Sequence, residues 1–203
     1  MTRSAPLALV LALSGCASST ATRYWTIEPL AAARAPAGSA ITAPVRVDGV
    51  RVPLAIDRLE VVSHDTENRV IVHDFDRWSA PPADLIQRTL TQDLQTRLPD
   101  GAVIFPASPK PTGAIGVFVD VLDLRQTADG YAMQVSWNAA TNGDASTVAA
   151  PITRTLTLQA TATPDVAGLT IALGTLTGKL ADSIVDAIGK RRPAPRPVGA
   201  PAS

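Results

Sequence analysis

The 203-residue sequence contains a single cysteine, Cys16, and only two histidines. One cysteine excludes an intrachain disulfide and any metal cluster built from several thiolates. Aromatic residues make up 4% of the chain, and 18 basic residues are balanced by 18 acidic ones. Without an excess of positive charge, composition gives no electrostatic reason to expect binding to nucleic acid or to an anionic surface. Because 46% of the residues are apolar, the chain can still bury the core of one domain.

Residues suited to catalysis or metal binding are few and poorly spaced. His64 and His73 fall on either side of a predicted hairpin, but a zinc site needs a third and usually a fourth ligand, and no recognised spacing surrounds them. The run Ser63-His64-Asp65 cannot form a catalytic triad, because consecutive residues of a strand point to alternate faces. The nucleophile-elbow, phosphate-loop, dinucleotide-binding and zinc-protease motifs are absent from the sequence. We therefore predict neither an enzyme nor a metal or cofactor site.

The N-terminus has the pattern of a secretory signal. Arg3 precedes an apolar run over residues 5–13, about half of the ~20 residues that a membrane-spanning helix requires. The run ends in Leu13-Ser14-Gly15-Cys16, which resembles the lipobox of bacterial lipoproteins: an apolar residue, two small residues and the cysteine whose thiol receives the lipid. The pattern predicts a signal peptide over residues 1–15 and lipidation at Cys16.

The segments that flank the folded part are short and of low complexity. Residues 16–23 are small and polar without periodicity, and we interpret them as a lipidated tether. Ala17 follows the cysteine where an Asp would retain some lipoproteins, and by resemblance to the enterobacterial sorting rule this favours the outer membrane. Residues 191–203 are rich in Pro and Ala, which predicts a disordered tail. A single domain over residues 24–190 is left between them.

Alternating and β-branched residues predict most of the domain to be strand. Strands are expected at residues 24–27, 59–62, 69–75, 103–105, 115–124, 131–137 and 152–161. The segment 45–52 is ambiguous. Its dipeptide Asp48-Gly49 is a strong hairpin-turn signal, but the flanking strands are so short that one bent strand fits nearly as well.

Two helices with apolar stripes complete the pattern. The first is expected to begin at a Ser79 cap, with two prolines in its first turn, and to end at residue 98. The second follows Asp165, and its interior Gly174 and Gly178 are expected to allow close packing on the sheet. This order of elements predicts a two-layer α+β domain, with a mostly antiparallel sheet and both amphipathic helices packed on one face.

Three segments of the domain resemble those of a known family. Residues 24–27 read Tyr-Trp-Thr-Ile, residues 53–58 read Pro-Leu-Ala-Ile-Asp-Arg, and Arg77-Trp78-Ser79 precedes the first helix. Together with the lipobox, they resemble the ABC-type transport auxiliary lipoproteins, the PqiC/YmbA-like family, over most of the mature chain.

The resemblance implies a periplasmic accessory subunit that is anchored to the outer membrane and has no catalytic residues or cofactors. Its expected partners are an MCE-domain protein and the associated inner-membrane permease of a system that carries phospholipid between membranes and maintains envelope integrity. No nucleic-acid partner is expected, and a homo-oligomer is left open. The alternative function is a free-standing envelope lipoprotein that binds a lipid or another small molecule between its sheet and helices.

The same segments contain one group of residues that we expect to be partner-binding or structural: Arg58, Asp76, Arg77 and Trp78. Trp78 is expected to pack over the sheet as an apolar anchor, with Arg77 paired to Asp74, Asp57 or Asp76. The alternative is a partner-facing surface, because Trp and Arg are enriched at the energetic centres of protein interfaces.

Overall fold

The computed structural model describes residues 20–30, 41, 43–67, 69–141 and 150–190, so the predicted signal peptide, Cys16 and the predicted C-terminal tail lie outside the described residues. The elements are β1 (Arg23–Trp25), β2 (Val45–Arg51), β3 (Glu60–His64), β4 (Val70–Trp78), α1 (Pro82–Arg97), β5 (Val103–Ile104), β6 (Ile115–Thr127), β7 (Gly130–Thr141), β8 (Ile152–Thr161) and α2 (Val166–Gly189). Two helices and two sheets make an α+β domain, which confirms the predicted class.

The strands form two mixed sheets where the sequence predicted one that is mostly antiparallel. The smaller sheet has the order β1-β4-β3, and the larger has the order β5-β2-β6-β7-β8. Pairing is parallel between β1 and β4 and between β2 and both β5 and β6, while the remaining pairs are antiparallel. The parallel pairs join strands that are distant in sequence, with the β3–β4 hairpin and α1 between β2 and its two neighbours. Such crossovers leave no local signal, so only the hairpins could be predicted.

The Asp48-Gly49 dipeptide bends a single strand, so the hairpin interpretation is wrong. Strand β2 pairs with β6 on both sides of this point, and its register shifts between Val47 and Gly49. A Cβ atom at Gly49 would lie 2.8 Å from Cε2 of Phe118. The glycine therefore gives room to an aromatic ring on the neighbouring strand, in a β-bulge where a turn residue was expected.

Both helices pack on one face of the larger sheet, with α1 against β2 and α2 against β7 and β8. The predicted apolar stripe of α1 is buried: Ile86, Leu90, Leu94 and Leu98. That of α2 is buried as well: Leu169, Leu173, Leu176, Leu180, Ile184 and Ile188. Full burial of each such side chain contributes about 1.5–3 kcal/mol, so these stripes hold the two layers together.

The two helices begin differently. The Asp165 carboxylate accepts a 2.6 Å hydrogen bond from the N–H of Gly168 and caps α2, which begins where the sequence analysis expected it. Ser79 does not cap α1, because the helix starts after Pro81 and no side chain caps it. The Ser79 N–H instead donates to the carbonyl of Trp25, at 2.8 Å, and so continues the pairing of β4 with β1.

The segment after β1, residues 26–30, lies against both helices. The Thr89 hydroxyl of α1 donates to the carbonyl of Ile27 at 3.0 Å, and Ile27 is only 1% exposed. On the other side, a Cβ at Gly174 of α2 would overlap the carbonyl oxygen of Glu28. The glycines of α2 therefore admit this N-terminal segment, and the expectation that they pack on the sheet is wrong.

A buried ion pair joins this segment to the two helices. The guanidinium of Arg97 in α1 donates to the Asp93 carboxylate at 3.0 Å, to the Gly178 carbonyl of α2 at 3.1 Å, and to the Asp182 carboxylate of α2 at 2.6 Å. The same oxygen of Asp93 accepts the N–H of Leu30 at 3.1 Å. Burial, opposed by Arg97, raises the pKa of Asp93 to about 6. The pair thus holds three segments at one point.

Replacement of the two glycines that face residues 26–30 tests this packing. We expect Gly174→Ala and Gly178→Ala each to lower the free energy of unfolding by about 1–3 kcal/mol, although Ala is favoured over Gly inside a helix by ~1 kcal/mol. The added Cβ would meet the Glu28 carbonyl or lie 2.7 Å from Cβ of Leu30. The control is Gly189→Ala, whose Cβ has no atom within 4 Å and which should not destabilise. Urea denaturation measures all three, and equal responses would contradict the packing.

Candidate functional site

The four residues singled out in the sequence lie together at the C-terminal end of β4, but they divide between two faces. Asp76 and Trp78 point inward and are 4% and 5% exposed. Arg77 lies between them and points to the opposite face, as strand alternation requires. Arg58, in the turn before β3, is on the same side as Arg77, because both contact the carboxylate of Glu60. The predicted cluster is therefore two sites.

The inner site is a buried carboxylate that holds the first strand. Asp76 accepts two hydrogen bonds from the Arg23 guanidinium, both at 2.8 Å, and a third from the indole N–H of Trp25 at 2.7 Å. Both donors come from β1, whose Arg23 lies opposite Asp76 in the parallel ladder. Arg23 also lies 5.9 Å from the ring centre of Trp25, within cation–π range. A strand of three residues is thus attached mainly through side chains.

The charge of Asp76 is stabilised by these donors. Burial alone would raise the pKa of Asp76, but the hydrogen bonds from Arg23 and Trp25 and the positive charge of Arg23 hold it below its ordinary value. In return, the Asp76 carboxylate raises the pKa of Arg23. The inner site is therefore an ion pair at ordinary pH, with both carboxylate oxygens occupied.

The outer site is centred on Glu60, which the sequence reading missed. Glu60 accepts a 2.9 Å hydrogen bond from Arg58 and lies 3.3 Å from the guanidinium of Arg77. Hydrogen bonding, first from Arg58, lowers the pKa of Glu60. Arg77 was expected to pair with Asp74, Asp57 or Asp76, and this expectation is wrong. Glu60 is its direct cross-strand neighbour, whereas Asp76 points away from it.

The register of the β3–β4 hairpin explains why Glu60 was missed. Opposite Arg77 the partner is Glu60, yet the next residue, Val61, is opposite His73. Several residues of β4 therefore bulge out between two consecutive residues of β3. A bulge of this size depends on tertiary contacts, including those of Asp76 with β1, and hairpin length alone does not reveal it.

The two histidines occupy separate positions. His73 forms a 3.0 Å hydrogen bond with the Ser63 hydroxyl, and His64 forms a 3.1 Å hydrogen bond with the carbonyl of Leu124 in the larger sheet. Asp65 does not join them, because it accepts hydrogen bonds from Arg69. In the part of the chain that the structure describes, no carboxylate hydrogen bonds to His73, and no three His, Cys, Asp or Glu residues are grouped as metal ligands.

An open pocket of about 290 Å³ lies beside the inner site, between the end of β4 and the start of α2. Arg23, Trp25, His73 and Asp76 line one side, and residues 164–167 line the other. Arg23 and Asp76 at its edge are paired with each other, and Asp165 accepts hydrogen bonds from the Gly168 N–H and the Thr163 hydroxyl. The arrangement joins β1 to the body of the domain and, in the described residues, leaves the Asp76 carboxylate no free oxygen with which to bind a ligand.

The fold and the site define a small two-sheet α+β domain in which buried carboxylates hold the N-terminal segment. Two crystal structures share this fold. One, of an uncharacterized protein, is 16% identical over 83% of this chain and 99% of its own, with a TM-score of 0.66. The other, from Xanthomonas campestris and described as DUF330, is 14% identical over 80% of this chain and 92% of its own, with a TM-score of 0.56. No curated protein matches the chain.

A family model identifies the chain more closely than the fold does. The model of the ABC-type transport auxiliary lipoprotein component matches residues 25–185, most of the sequence. The protein belongs to this family, as the lipobox and the central motifs indicated. Among the described residues, no helix combines the length and the apolar character needed to cross a membrane.

The inner site predicts a pH-dependent stability. Asp76 has a lowered pKa in the folded protein, so its contribution is present above the unfolded pKa of ~3.9 and is lost as pH falls through the folded value. We expect Asp76→Asn to cost about 2 kcal/mol at pH 7 through its weakened hydrogen bonds, and to lose less stability than the wild type between pH 5 and pH 3. Urea denaturation across this range measures both, and Asp74→Asn, an exposed neighbour on β4, is the control. Equal pH profiles for wild type and Asp76→Asn would refute the role of this pair.

Proposed function

We propose that the protein is an outer-membrane-anchored periplasmic lipoprotein, lipidated at Cys16, and a non-enzymatic accessory subunit of an MCE-type, ABC-linked phospholipid transport system that maintains envelope integrity. The observation that carries the proposal is the family match over residues 25–185, preceded by Leu13-Ser14-Gly15-Cys16. Acyl chains on one thiol would hold the domain at a membrane, at ~0.8 kcal/mol for each buried methylene. Its partners would be an MCE-domain protein and an inner-membrane permease.

The described residues support a role that depends on binding and position. Both oxygens of Asp76 are occupied by Arg23 and Trp25, and Ser63 and His73 form a pair without a carboxylate hydrogen-bonded to the imidazole. An efficient serine nucleophile needs a base that is itself oriented by a third group. This geometry favours an accessory subunit over a hydrolase.

The outer site is the best candidate for the partner surface. Arg58 and Arg77 share Glu60 and have side chains that are 47% and 39% exposed. Leu59, between Arg58 and Glu60 in sequence, is 46% exposed, and Leu54 in the preceding turn is 90% exposed. Arginine and exposed apolar side chains together are typical of interface centres. Of the four residues in the predicted cluster, we propose that Arg58 and Arg77 contact the partner and that Asp76 and Trp78 stabilise the fold.

The alternative, a free-standing binder of lipid, would need space between the sheet and the helices. Leu90, Leu176 and Trp137 fill that interface and are 0–1% exposed. Packing of this density favours the adaptor, because an acyl chain could enter only by displacing core side chains.

Lipidation is tested by replacing the thiol. Cys16→Ser should abolish incorporation of a palmitate analogue and release the protein from washed membranes, because the chain has no other cysteine. The matched control is Ala17→Asp, which keeps the thiol and should still be labelled, while moving from the outer- to the inner-membrane fraction. Unchanged labelling of Cys16→Ser would contradict the assignment of the site.

The accessory role is tested by affinity capture from cross-linked, detergent-solubilised envelopes. The wild-type chain should recover an MCE-domain protein and its permease, and Arg58→Ala/Arg77→Ala should reduce recovery about tenfold or more, which is within the range for interface hot spots. Arg125→Ala is the control, because this arginine is also exposed but lies in the larger sheet, beside Asp123.

Two results would count against this function. Recovery of neither partner by the wild-type chain would oppose an accessory role. A stoichiometric phospholipid in native mass spectra of the purified protein would favour the free-standing binder.

A further inference from the structure

The end of the β3–β4 hairpin exposes an unusual run of apolar side chains. Val70, Ile71 and Val72 are consecutive and are 53%, 40% and 39% exposed, and Phe75 is 47% exposed. In β6 and β7 apolar residues cover the helix-facing side, but here both faces of the strand are apolar and exposed. Exposed, contiguous apolar surface is more often an interaction site than ordinary protein surface is. We refer to Val70, Ile71 and Val72 as the apolar hairpin end, while Phe75 lies further along β4, in the bulge toward Arg77.

One edge of this part of β4 has no strand beside it among the described residues. Strand β1 pairs with β4 only along Asp76–Trp78. Thr20, Ala21 and Thr22, which would continue β1 alongside the preceding residues of β4, are exposed and lie outside the strand. The described part of the tether therefore leaves the apolar hairpin end uncovered.

The direction of β1 brings the proposed lipid anchor toward this surface. Because β1 is parallel to β4, the chain traced back from Arg23 heads toward Val70 and the hairpin turn. Cys16 precedes Arg23 by seven residues, which span at most about 25 Å when fully extended. Asp76, opposite Arg23, is at most about 20 Å from Val70 along the strand, because the bulge of β4 shortens this stretch. A lipid on Cys16 therefore keeps the bilayer within reach of the hairpin.

The composition of the hairpin fits the interfacial zone of a bilayer. Three aliphatic side chains, Val70, Ile71 and Val72, supply apolar contact, while in the turn Arg69 pairs with both Asp65 and Glu67. The three charged side chains carry a net charge of −1, which gives no electrostatic attraction to an anionic bilayer, so apolar contact must provide the attraction. The backbone edge of β4 that no described strand pairs with requires water or lipid headgroups as hydrogen-bond partners. The hairpin can therefore lie at the headgroup boundary of the bilayer but not in the hydrocarbon interior.

We infer that the apolar hairpin end rests on the lipid surface that holds Cys16, as a second membrane contact beside the acyl chains. This inference depends on the lipidation in the proposed function. Two membrane contacts, at the tether and at the hairpin, fix the orientation of the domain, which a flexible tether alone leaves free. The outer site at Arg58 and Arg77 lies at the opposite end of the β3–β4 ladder from the turn, and this orientation turns it away from the bilayer.

Photo-cross-linking of the full, lipidated chain tests the contact. One variant carries p-benzoylphenylalanine in place of Ile71, and a second carries it in place of Phe105. In vesicles of phosphatidylethanolamine and phosphatidylglycerol, the first variant should form at least about fivefold more lipid adduct than the second. Phe105 is a suitable control, because it is 51% exposed but follows β5 of the larger sheet. On the lipidated wild-type chain, binding to the vesicle should also slow amide hydrogen exchange along Val70, Ile71 and Val72 relative to exchange in detergent.

The outcomes separate this inference from the function on which it rests. Equal lipid adducts at the two positions, a cross-link between two copies or to another protein at Ile71, or unchanged exchange along β4 would each overturn the membrane contact alone. Intact mass spectra of the same preparation report the acyl chains. Their absence from Cys16 would remove the proposed function and this inference together.

Discussion

The fold depends on the buried guanidinium of Arg97. Its N–H groups donate to Asp93 in its own helix and to Gly178 and Asp182 in α2, so one side chain sets the distance between the helices. Asp93 in turn accepts the N–H of Leu30, which adds the N-terminal segment to the same point. A buried charge is tolerated only when its donors are satisfied. The pair thus connects α1, α2 and residues 26–30, which the apolar stripes of the helices alone would not join.

The two buried carboxylates that hold the N-terminal segment respond to pH in opposite directions. Asp76 has a lowered pKa, so its contribution to stability is present above ~pH 4 and is lost in acid. Asp93 has its pKa raised to about 6, so its contribution is full below the unfolded value and declines as pH rises through about 6. Its second oxygen has no hydrogen-bond partner within the described part of the protein. At neutral pH the Asp93–Arg97 pair therefore positions the segments that it joins and adds little stability. The Asp76–Arg23 pair both positions β1 and adds stability.

The sequence predicts structural features that depend on neighbouring residues better than features that depend on contacts between distant segments. The stripes of both helices, the Asp165 cap and the β6–β7 hairpin follow from neighbours in sequence, and the structure has them. The division into two sheets does not follow, because the parallel partners of β2 are chosen by tertiary packing. Glu60 was missed for the same reason, since the bulge of β4 brings it to Arg77. The sequence analysis grouped Arg58, Asp76, Arg77 and Trp78 in one cluster, whereas in the structure strand alternation places Asp76 and Trp78 on one face of β4 and Arg77 on the other.

In a protein that works where a membrane anchor holds it, the anchored segment must be firmly attached to the folded domain. Strand β1 has only three residues, and a ladder that short frays readily by itself. Its attachment rests instead on Asp76, which binds Arg23 and Trp25, and a few residues later on Asp93 at Leu30. Both carboxylates are buried, Asp76 in β4 and Asp93 in α1. If the membrane anchor is Cys16, as proposed, the tether joins the fold beside these two points, and the two buried charges keep the anchored segment from detaching from the domain.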